Sequence, residues 1–295
     1  MGTSATNAVI LGCGYVGRQV AQYWLSQGLN VTATTTRAAK VPELEAIQGG
    51  GQGHRHAQGI VLRGNDKVAL ESLLANQDVL LVSVAAQGKS YKDAYLETAQ
   101  TLATVLPNTA VKQVIYTGSF GVYGNHGGHW VTEETAIAPT SENSQFMADA
   151  EQCLLNIASD QRQVCVLRLG GIYGPGRELR KIFRRRPGTV MEGDGKDPSN
   201  WVHLDDIVGA IDFARTHQLN GIYNVVQDTI LTRRDLLNRV CQVYHLPPVT
   251  WNPDLPGRRS HSVKVSNQKL KDAGYSFIHS DFWMPADYTL PDELT

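Results

Sequence analysis

The stretch Ala8-Val-Ile-Leu-Gly-Cys-Gly-Tyr-Val-Gly17 decides the fold of this chain. An apolar run of strand type stands directly before Gly12-Cys13-Gly14-Tyr15-Val16-Gly17, which matches the GxGxxG pattern of dinucleotide-binding turns. Such a turn opens a helix whose first backbone N–H groups face a pyrophosphate. The alternative is a glycine-rich turn without a ligand. Because a strand precedes the glycines and a helix and a second strand follow, we expect all six residues to bind a dinucleotide.

The end of the second predicted strand indicates which dinucleotide is bound. It reads Thr34-Thr35-Thr36-Arg37, and no carboxylate follows before Glu43. An acidic residue here would accept the ribose 2′-OH of NAD, whereas hydroxyl donors and an arginine suit the 2′-phosphate of NADP. We therefore expect Thr35, Thr36 and Arg37 to bind NADP(H). NAD(H) is the alternative cofactor if Arg37 is only a solvated loop residue.

Short β-branched runs alternate with helical stretches through the first two-thirds of the chain. This pattern is typical of βαβ units and predicts an α/β fold, a doubly wound parallel-sheet Rossmann fold with a smaller C-terminal substrate lobe. Strands are predicted at 8–11, 30–34, 60–62, 79–84, 113–117 and 164–169, and helices at 17–27, 68–76, 91–106 and 144–158. The predicted domains are a Rossmann domain, 1–175 with 201–226 returning to it, and a small substrate-binding lobe, 176–200 with 227–295.

Composition restricts the classes of partner. The chain has 295 residues and a formal net charge of −1, so it has no long-range attraction for nucleic acid or an anionic membrane. No apolar run approaches the roughly 20 residues that span a bilayer, and the N-terminus lacks the order of a signal peptide. We expect a cytoplasmic protein whose partner is a small-molecule substrate. The composition sets no oligomeric state.

Several landmarks, in this order along the chain, resemble those of the extended short-chain dehydrogenase/reductase family, the NAD-dependent epimerase/dehydratase group. Besides the glycine turn they are Gly64-Asn65-Asp66, Ala85-Ala86, Ser119-Phe-Gly-Val-Tyr-Gly124, Arg168-Leu-Gly-Gly-Ile-Tyr-Gly-Pro-Gly-Arg177 and Trp201-Val-His-Leu-Asp-Asp206. The resemblance implies that Asp66 lies near the adenine and that His203 with Asp205 anchors the second lobe. The further residues that we assign to the cofactor are Asn65, Ala85, Ala86, Gly118 and Met147.

The chain departs from this family at the active centre. The family's proton donor is a tyrosine four residues before a lysine, with a glutamate four residues further on. Alignment on Glu151 places Asn143 and Met147 at the tyrosine and lysine positions, and none of the eleven tyrosines is followed four residues later by lysine. The chain is therefore similar to atypical members of the family, which lack the Tyr-x-x-x-Lys dyad.

Three residues are candidates to replace the missing dyad. By the resemblance, Ser119 has the position of the family's catalytic Ser/Thr, although it could equally cap a turn. Tyr123 is a replacement acid or a ring packed under its loop, and the resemblance implies that Tyr173 belongs to the turn beside the nicotinamide. We expect an NADP(H)-dependent oxidoreductase or epimerase/dehydratase-like enzyme. The alternative, from another class, is a non-catalytic NADP(H)-binding redox sensor or scaffold.

Basic residues are concentrated after the predicted Rossmann domain. A helix predicted over 177–186 would carry Arg177, Arg180 and Arg184, and Arg258 follows later in the chain. These four arginines are candidates to bind a phosphate or carboxylate of the substrate, and a solvated helix face is the alternative. His126-Gly-Gly-His129 lies in a glycine loop with no third ligand fixed by spacing, so we expect no metal site.

Overall fold

The computed structural model describes residues 5–50, 55–86, 90–255 and 262–284. The first half of the chain alternates strands with helices: β1 (Asn7–Leu11), α1 (Tyr15–Ser26), β2 (Asn30–Thr35), α2 (Val41–Glu45), β3 (Gln58–Val61), α3 (Lys67–Leu74), β4 (Val79–Val82), α4 (Thr98–Val105) and β5 (Gln113–Ser119). A π-helical stretch, Lys92–Glu97, leads directly into α4.

The second half contains more and shorter elements: β6 (Trp130–Val131), α5 (Glu142–Leu155), β7 (Gln163–Leu169), β8 (Gly171–Tyr173), α6 (Leu179–Ile182), β9 (Val190–Glu192), β10 (Pro198–Ser199), β11 (Trp201–His203), α7 (Leu204–Thr216), β12 (Gly221–Val225), β13 (Leu231–Thr232), α8 (Arg233–Val243), β14 (Thr250–Asn252), β15 (Lys264–Val265) and α9 (Gln268–Asp272). In the ranges described, no helix combines the length and the apolar character needed to cross a bilayer.

The described part of the chain contains a central sheet of seven parallel strands in the order β12-β7-β5-β4-β1-β2-β3. The prediction of a doubly wound Rossmann fold is confirmed. β1 lies between β4 and β2, so the strand order reverses there. The connections from β1 to β2 and from β2 to β3 extend the sheet to one side of β1. The strands from β4 onward lie on the other side. Sheets of this kind hold ligands in the crevice at the carboxyl ends of the strands beside such a reversal.

Helices cover both faces of the sheet, which explains the nearly continuous apolar strands. In β1, Ile10 points to the face covered by α1 and α7, where Trp24 and Ile211 are fully buried. Val9 points to the opposite face, where it packs in the same cluster as Leu102 of α4. The burial of each aliphatic side chain of this size contributes roughly 1.5–3 kcal/mol to the stability of the folded protein.

A buried ion pair connects α5 with β7. Nε and Nη2 of Arg168 donate to Oε2 of Glu151 at 2.9 and 2.8 Å, and both side chains are at least 96% shielded from solvent. Burial raises the pKa of Glu151 to about 7, and the Arg168 guanidinium acts in the opposite direction. A Cβ at Gly118 would stand 2.6 Å from Oε1 of the same carboxylate, so the ion pair accounts for the glycine at the end of β5.

The segment after β12 is fastened to the Rossmann part through Asp206, near the start of α7. This fully buried carboxylate accepts the backbone N–H groups of Ile278 and His279 at 2.6 and 3.0 Å. The hydroxyl of Tyr275 donates to the backbone carbonyl of Asp206 at 3.0 Å. Four two-stranded sheets, β10-β13, β11-β8, β14-β9 and β15-β6, complete the described strands. On these grounds we propose the division into a Rossmann domain and a smaller lobe.

The prediction of a helix over 177–186 is wrong. Only α6, with one turn over Leu179–Ile182, is helical, because Leu179 is its one fully buried residue. Beyond it the N–H of Arg184 bonds three residues back to Lys181, and Arg186 bonds three residues back to Phe183. Three consecutive arginines repel one another, and Pro187 ends the stretch. The arginines therefore do not share one long helix face.

We expect Arg168→Met to reduce the free energy of unfolding by about 3–5 kcal/mol, because it leaves the Glu151 carboxylate buried without its partner. The double variant Arg168→Met/Glu151→Leu should recover most of that loss, since no buried charge remains. Denaturant titration followed by circular dichroism measures both. Lys271→Met, which removes an exposed ion pair with Asp228, is the control and should cost less than about 1 kcal/mol. Equal losses in the single and double variants would contradict the explanation.

Candidate functional site

The glycine turn between β1 and α1 has two crowded positions and one open one. A Cβ on Gly12, whose φ is +87°, would lie 2.8 Å from the carbonyl oxygen of Ser83 in the segment after β4. A Cβ on Gly17 would lie 3.0 Å from Cγ2 of Ile10, whereas one on Gly14 would meet nothing within 4 Å. Gly12 thus makes the tight turn and Gly17 the contact between helix and strand. Gly14 leaves an open face before the N-terminus of α1, where a phosphate has room.

Thr34 of β2 holds this turn in place. Its hydroxyl oxygen accepts the N–H of Gly12 at 3.0 Å, and its carbonyl oxygen accepts the N–H of Cys13 at 2.9 Å. Burial raises the pKa of the Cys13 thiol to about 12, so it stays neutral in this position. Thr34 is not among the residues that the sequence predicts for the site. A hydroxyl on an otherwise apolar strand, beside the glycine turn, is the signal that could have found it.

The end of β2 presents basic and hydroxyl groups to solvent. Arg37 is exposed, and its N–H donates to Oγ1 of Thr35 at 3.2 Å, while Thr36 is also exposed. The next carboxylate in the sequence, Glu43, bonds to Lys40 at 3.1 Å and to Arg18 at 3.0 Å, and these contacts lower its pKa. Glu43 is therefore already occupied by two cations.

The residues after β3 and β4 also have local partners. Oδ1 of Asp66 accepts the N–H of Ala69 at 3.1 Å and so caps α3, and Nδ2 of Asn65 donates to Glu97 at 3.2 Å. Ala85 is exposed and Ala86 is half-buried beyond the end of β4. The contacts predicted between these residues and the adenine half of a cofactor stay predictions.

Ser119 ends β5 at the carboxyl edge of the sheet. Its Oγ accepts the N–H of Gly121 at 3.1 Å, so the hydroxyl does cap the turn that follows. The side chain is half-buried, and its own O–H can still donate. The capping and substrate-binding interpretations of Ser119 are therefore compatible.

Neither candidate tyrosine is placed to donate a proton to a substrate. Tyr123 is fully buried, its hydroxyl donates to Asn224 at 2.9 Å, and burial raises its pKa even though Arg168 lies 4.7 Å above its ring. Tyr173 is also fully buried; its hydroxyl donates to Gln227 at 3.0 Å, and burial raises its pKa to about 12. Because both hydroxyls are enclosed and engaged, we assign the two residues packing roles.

The face of α5 that carries Glu151 also carries Met147 and Asn143, one and two turns earlier. Exposure increases along this row, from buried Glu151 through half-buried Met147 to exposed Asn143. The row therefore leads from the core to solvent. Neither a thioether nor an amide can titrate near neutral pH.

The structure describes three of the four arginines predicted to bind the substrate, and two of these three line the same cavity. Arg177 lies over the ring of Tyr15 in the glycine turn, 5.4 Å from its centroid. Arg180 and Arg184 line a cavity of about 310 Å³, and Arg180 lies 5.7 Å from the ring centroid of Tyr244. The other residues lining this cavity are Glu178, Lys181, Pro187, Tyr244 and Leu246. Arg258 lies outside the described residues.

One cluster within the ranges described brings three metal-ligating side chains together. Ligand atoms of His203, Asp205 and His279 lie within 4.8 Å of one another. Nδ1 of His203 accepts the N–H of Asp205 at 3.2 Å, and the Asp205 carboxylate lies 3.0 Å from Nε2 of His279. These hydrogen bonds join the start of α7 to the segment near residue 279. They support the anchoring role that the resemblance implies for His203 and Asp205.

The chain is similar to known proteins over most of its length. The family described as "NAD dependent epimerase/dehydratase family" matches residues 8–225. Protein YeeZ of Escherichia coli K12 is 25% identical over 278 residues, which are 92% of this chain and 96% of YeeZ. A functionally unknown conserved protein from Silicibacter pomeroyi DSS has a similar structure, with a TM-score of 0.75, 22% identity and coverage of 94% and 95% of the two chains.

A dTDP-glucose 4,6-dehydratase from Bacillus anthracis str. Ames, solved in complex with NAD, has a TM-score of 0.77 at 19% identity. The alignment covers 94% of this chain and 93% of the dehydratase. At this identity the likeness concerns the fold.

The two neighbouring glycines offer a matched pair of substitutions. Gly12→Ala should destabilise the protein by about 1–3 kcal/mol, because it forces a side chain against Ser83 at a positive φ. Gly14→Ala should leave the melting temperature nearly unchanged but weaken dinucleotide binding about tenfold, since its methyl group occupies the open face. Thermal melts and calorimetric titration separate the two effects. Equal destabilisation by both substitutions would contradict the crowding observed at Gly12.

Proposed function

The chain belongs to the NAD-dependent epimerase/dehydratase family, and from this we propose that it is an NADP(H)-dependent oxidoreductase or epimerase/dehydratase-like enzyme acting on a small anionic metabolite. The observation that carries the proposal is the pairing of an open glycine turn with an exposed Arg37 at the end of β2. Both lie at the carboxyl edge of the sheet, beside the reversal of strand order.

In this proposal NADP(H) is held from two sides. The N-terminus of α1 and the open face at Gly14 receive the pyrophosphate. Thr35, Thr36 and Arg37 receive the 2′-phosphate, and NAD(H) lacks the usual acidic acceptor for its 2′-hydroxyl because Glu43 is bonded to Arg18 and Lys40. The basic end of β2 therefore favours NADP(H) over NAD(H).

We expect Arg37→Asp to reverse the cofactor preference. The wild-type protein should bind NADPH more tightly than NADH, and the substitution should weaken NADPH binding about 10- to 100-fold, the range for a lost charge-assisted contact. Calorimetric titration with NADP+, NADPH, NAD+ and NADH measures this. Arg55→Asp, which changes a charge bonded to Asn30 at the opposite end of β2, is the matched control. Equal affinity of the wild type for both dinucleotides would overturn the NADP(H) assignment.

The substrate would occupy the cavity that Arg180 and Arg184 line. The Glu178 carboxylate of this cavity is paired with Lys181 at 3.0 Å, so the two arginines leave an excess of positive charge. Leu246 and the ring of Tyr244 add an apolar wall. A small molecule that carries a phosphate or carboxylate beside an apolar group fits this lining best.

Bound NADP(H) would supply or accept a hydride. The chain's own contribution at the carboxyl edge of β5 is Ser119, whose hydroxyl can donate to a substrate oxygen while accepting the N–H of Gly121. A water molecule would have to carry the proton, since Tyr123 and Tyr173 are enclosed.

A non-catalytic redox sensor is the second candidate. The observation that favours it is the row of Met147 and Asn143 on α5, which carries no titratable group where the family's dyad aligns. Such a protein would bind NADP(H) without needing a proton donor, and the cofactor contacts would be the same.

Substitutions at the active centre distinguish the two candidates. If the protein is an enzyme, Ser119→Ala should reduce turnover by about 10²-fold or more while leaving NADPH affinity unchanged. Asn143→Ala is the matched control and should change neither turnover nor affinity by more than about 1 kcal/mol equivalent. The measurement is single-turnover oxidation of bound NADPH with a panel of phosphorylated, carboxylated and neutral carbonyl compounds and nucleotide sugars.

A panel that yields no turnover, together with tight NADPH binding, would favour the sensor. Turnover lost in Asn143→Ala would contradict the alignment on Glu151, since position 143 would then take part in the chemistry. Turnover of neutral compounds alone would contradict the anionic substrate.

A further inference from the structure

The turn at 174–177 lies directly on the dinucleotide turn, 160 residues away in sequence. The hydroxyl of Tyr15 donates to the carbonyl oxygen of Pro175 at 2.8 Å, and the guanidinium carbon of Arg177 lies 5.4 Å from the centroid of the Tyr15 ring. A Cβ on Gly174 would stand 3.3 Å from the Tyr15 hydroxyl. Tyr15 is the first residue of α1, so these contacts bring Arg177 to the N-terminus of that helix.

The backbone of this turn is fixed. The N–H of Arg177 donates to Gly174 at 2.9 Å, and the N–H of Gly176 donates to the buried carboxylate of Glu178 at 2.8 Å. Gly174 is buried and Gly176 has a φ of +80°, a conformation that favours glycine. The Arg177 side chain is exposed on a backbone that these hydrogen bonds hold.

The charge of Arg177 has no acidic partner among the residues that the structure describes. Glu178 is bonded to Lys181, and the nearby carboxylate of Asp205 is bonded to His279 at 3.0 Å. An exposed, unpaired guanidinium therefore lies beside the partial positive charge of a helix N-terminus, which is a favourable place for a dianion.

A buried polar atom next to the same turn also points to a ligand. Nε2 of His203 has no hydrogen-bond partner among the described residues, although the side chain is 1% exposed. It lies 3.2 Å from the position that a Gly174 Cβ would take. Because Nδ1 of His203 accepts the N–H of Asp205, the proton of the neutral ring is on Nε2, facing Gly174. This unpaired N–H group favours a ligand that brings a hydrogen-bond acceptor to the turn.

Resting on the proposed function, we infer that Arg177 binds the pyrophosphate of the dinucleotide and not the substrate. The turn at 174–177 acts as a clasp: Tyr15 fixes its position through Pro175, and Arg177 closes over the phosphates held by α1. This inference replaces the prediction that Arg177 binds the substrate. Arg180 and Arg184 remain the residues proposed to bind it.

The test is calorimetric titration of the full chain with ADP-ribose and with NADPH. ADP-ribose contains the pyrophosphate but neither the nicotinamide nor the 2′-phosphate. Arg177→Gln should weaken binding of both by about 10- to 100-fold and by the same factor, since they share the contact that is lost. Arg177→Lys should restore part of the affinity, because the charge returns without the planar fork. The control, Arg186→Gln, removes an exposed arginine from the same stretch of chain.

The outcomes separate this inference from the proposal on which it rests. Wild-type protein that binds neither ligand would overturn the proposed function and the clasp with it. Wild-type binding that is unchanged in Arg177→Gln would overturn the clasp alone and return Arg177 to the substrate. Weakened NADPH binding with unchanged ADP-ribose binding would also overturn it, because the guanidinium would then contact another part of the cofactor.

Discussion

Gly12 passes so close to the segment after β4 that no side chain can stand there, and the rest of the site depends on this contact. With a φ of +87° the backbone leaves the sheet at once, gives its N–H to Thr34 and enters α1 three residues later. Since β1 lies where the strand order reverses, the turn opens into a crevice between the two sets of crossovers. The shape of this turn is thus a consequence of how three neighbouring strands pack.

The buried pair of Glu151 and Arg168 connects α5 with β7 beside the end of β5. It fixes the rotation of α5 against β7, and helical geometry then determines which residues face the same way one and two turns earlier. Desolvation makes such a pair a weak source of net stability, but removal of one partner is costly. The register of Met147 and Asn143 is therefore held by a buried structural interaction. This register does not depend on whether the protein is a catalyst.

The sequence predicted what depends on neighbours in the chain and missed what depends on distant ones. The strands, their parallel order and the glycine turn follow from apolar runs and local spacing, and these predictions are confirmed. The prediction of a long basic helix was wrong, because Leu179 is the one fully buried residue of α6 and the arginines that follow repel one another. The enclosure of Tyr123 depends on Asn224, 101 residues later, and the clasp contact of Tyr15 on Pro175, 160 residues later. No local pattern encodes those distances.

The distribution of charge limits the chemistry that this site can perform. A tyrosine with a pKa near 10 needs a decrease of about three units, roughly 4 kcal/mol, to serve as an acid-base group near neutral pH. Burial instead raises the pKa values of Tyr123 and Tyr173, and the thioether of Met147 offers no charge that would lower them. In the proposed function, the cations Arg37, Arg177 and Arg180 are instead the groups that would bind the phosphates of the cofactor and an anionic substrate. If the proposed function holds, such an arrangement would stabilise charged ligands in place and leave proton transfer to a hydroxyl or to water. This arrangement is compatible with hydride transfer in which solvent supplies the proton, and with cofactor binding without turnover. It is not compatible with a reaction that requires a tyrosinate.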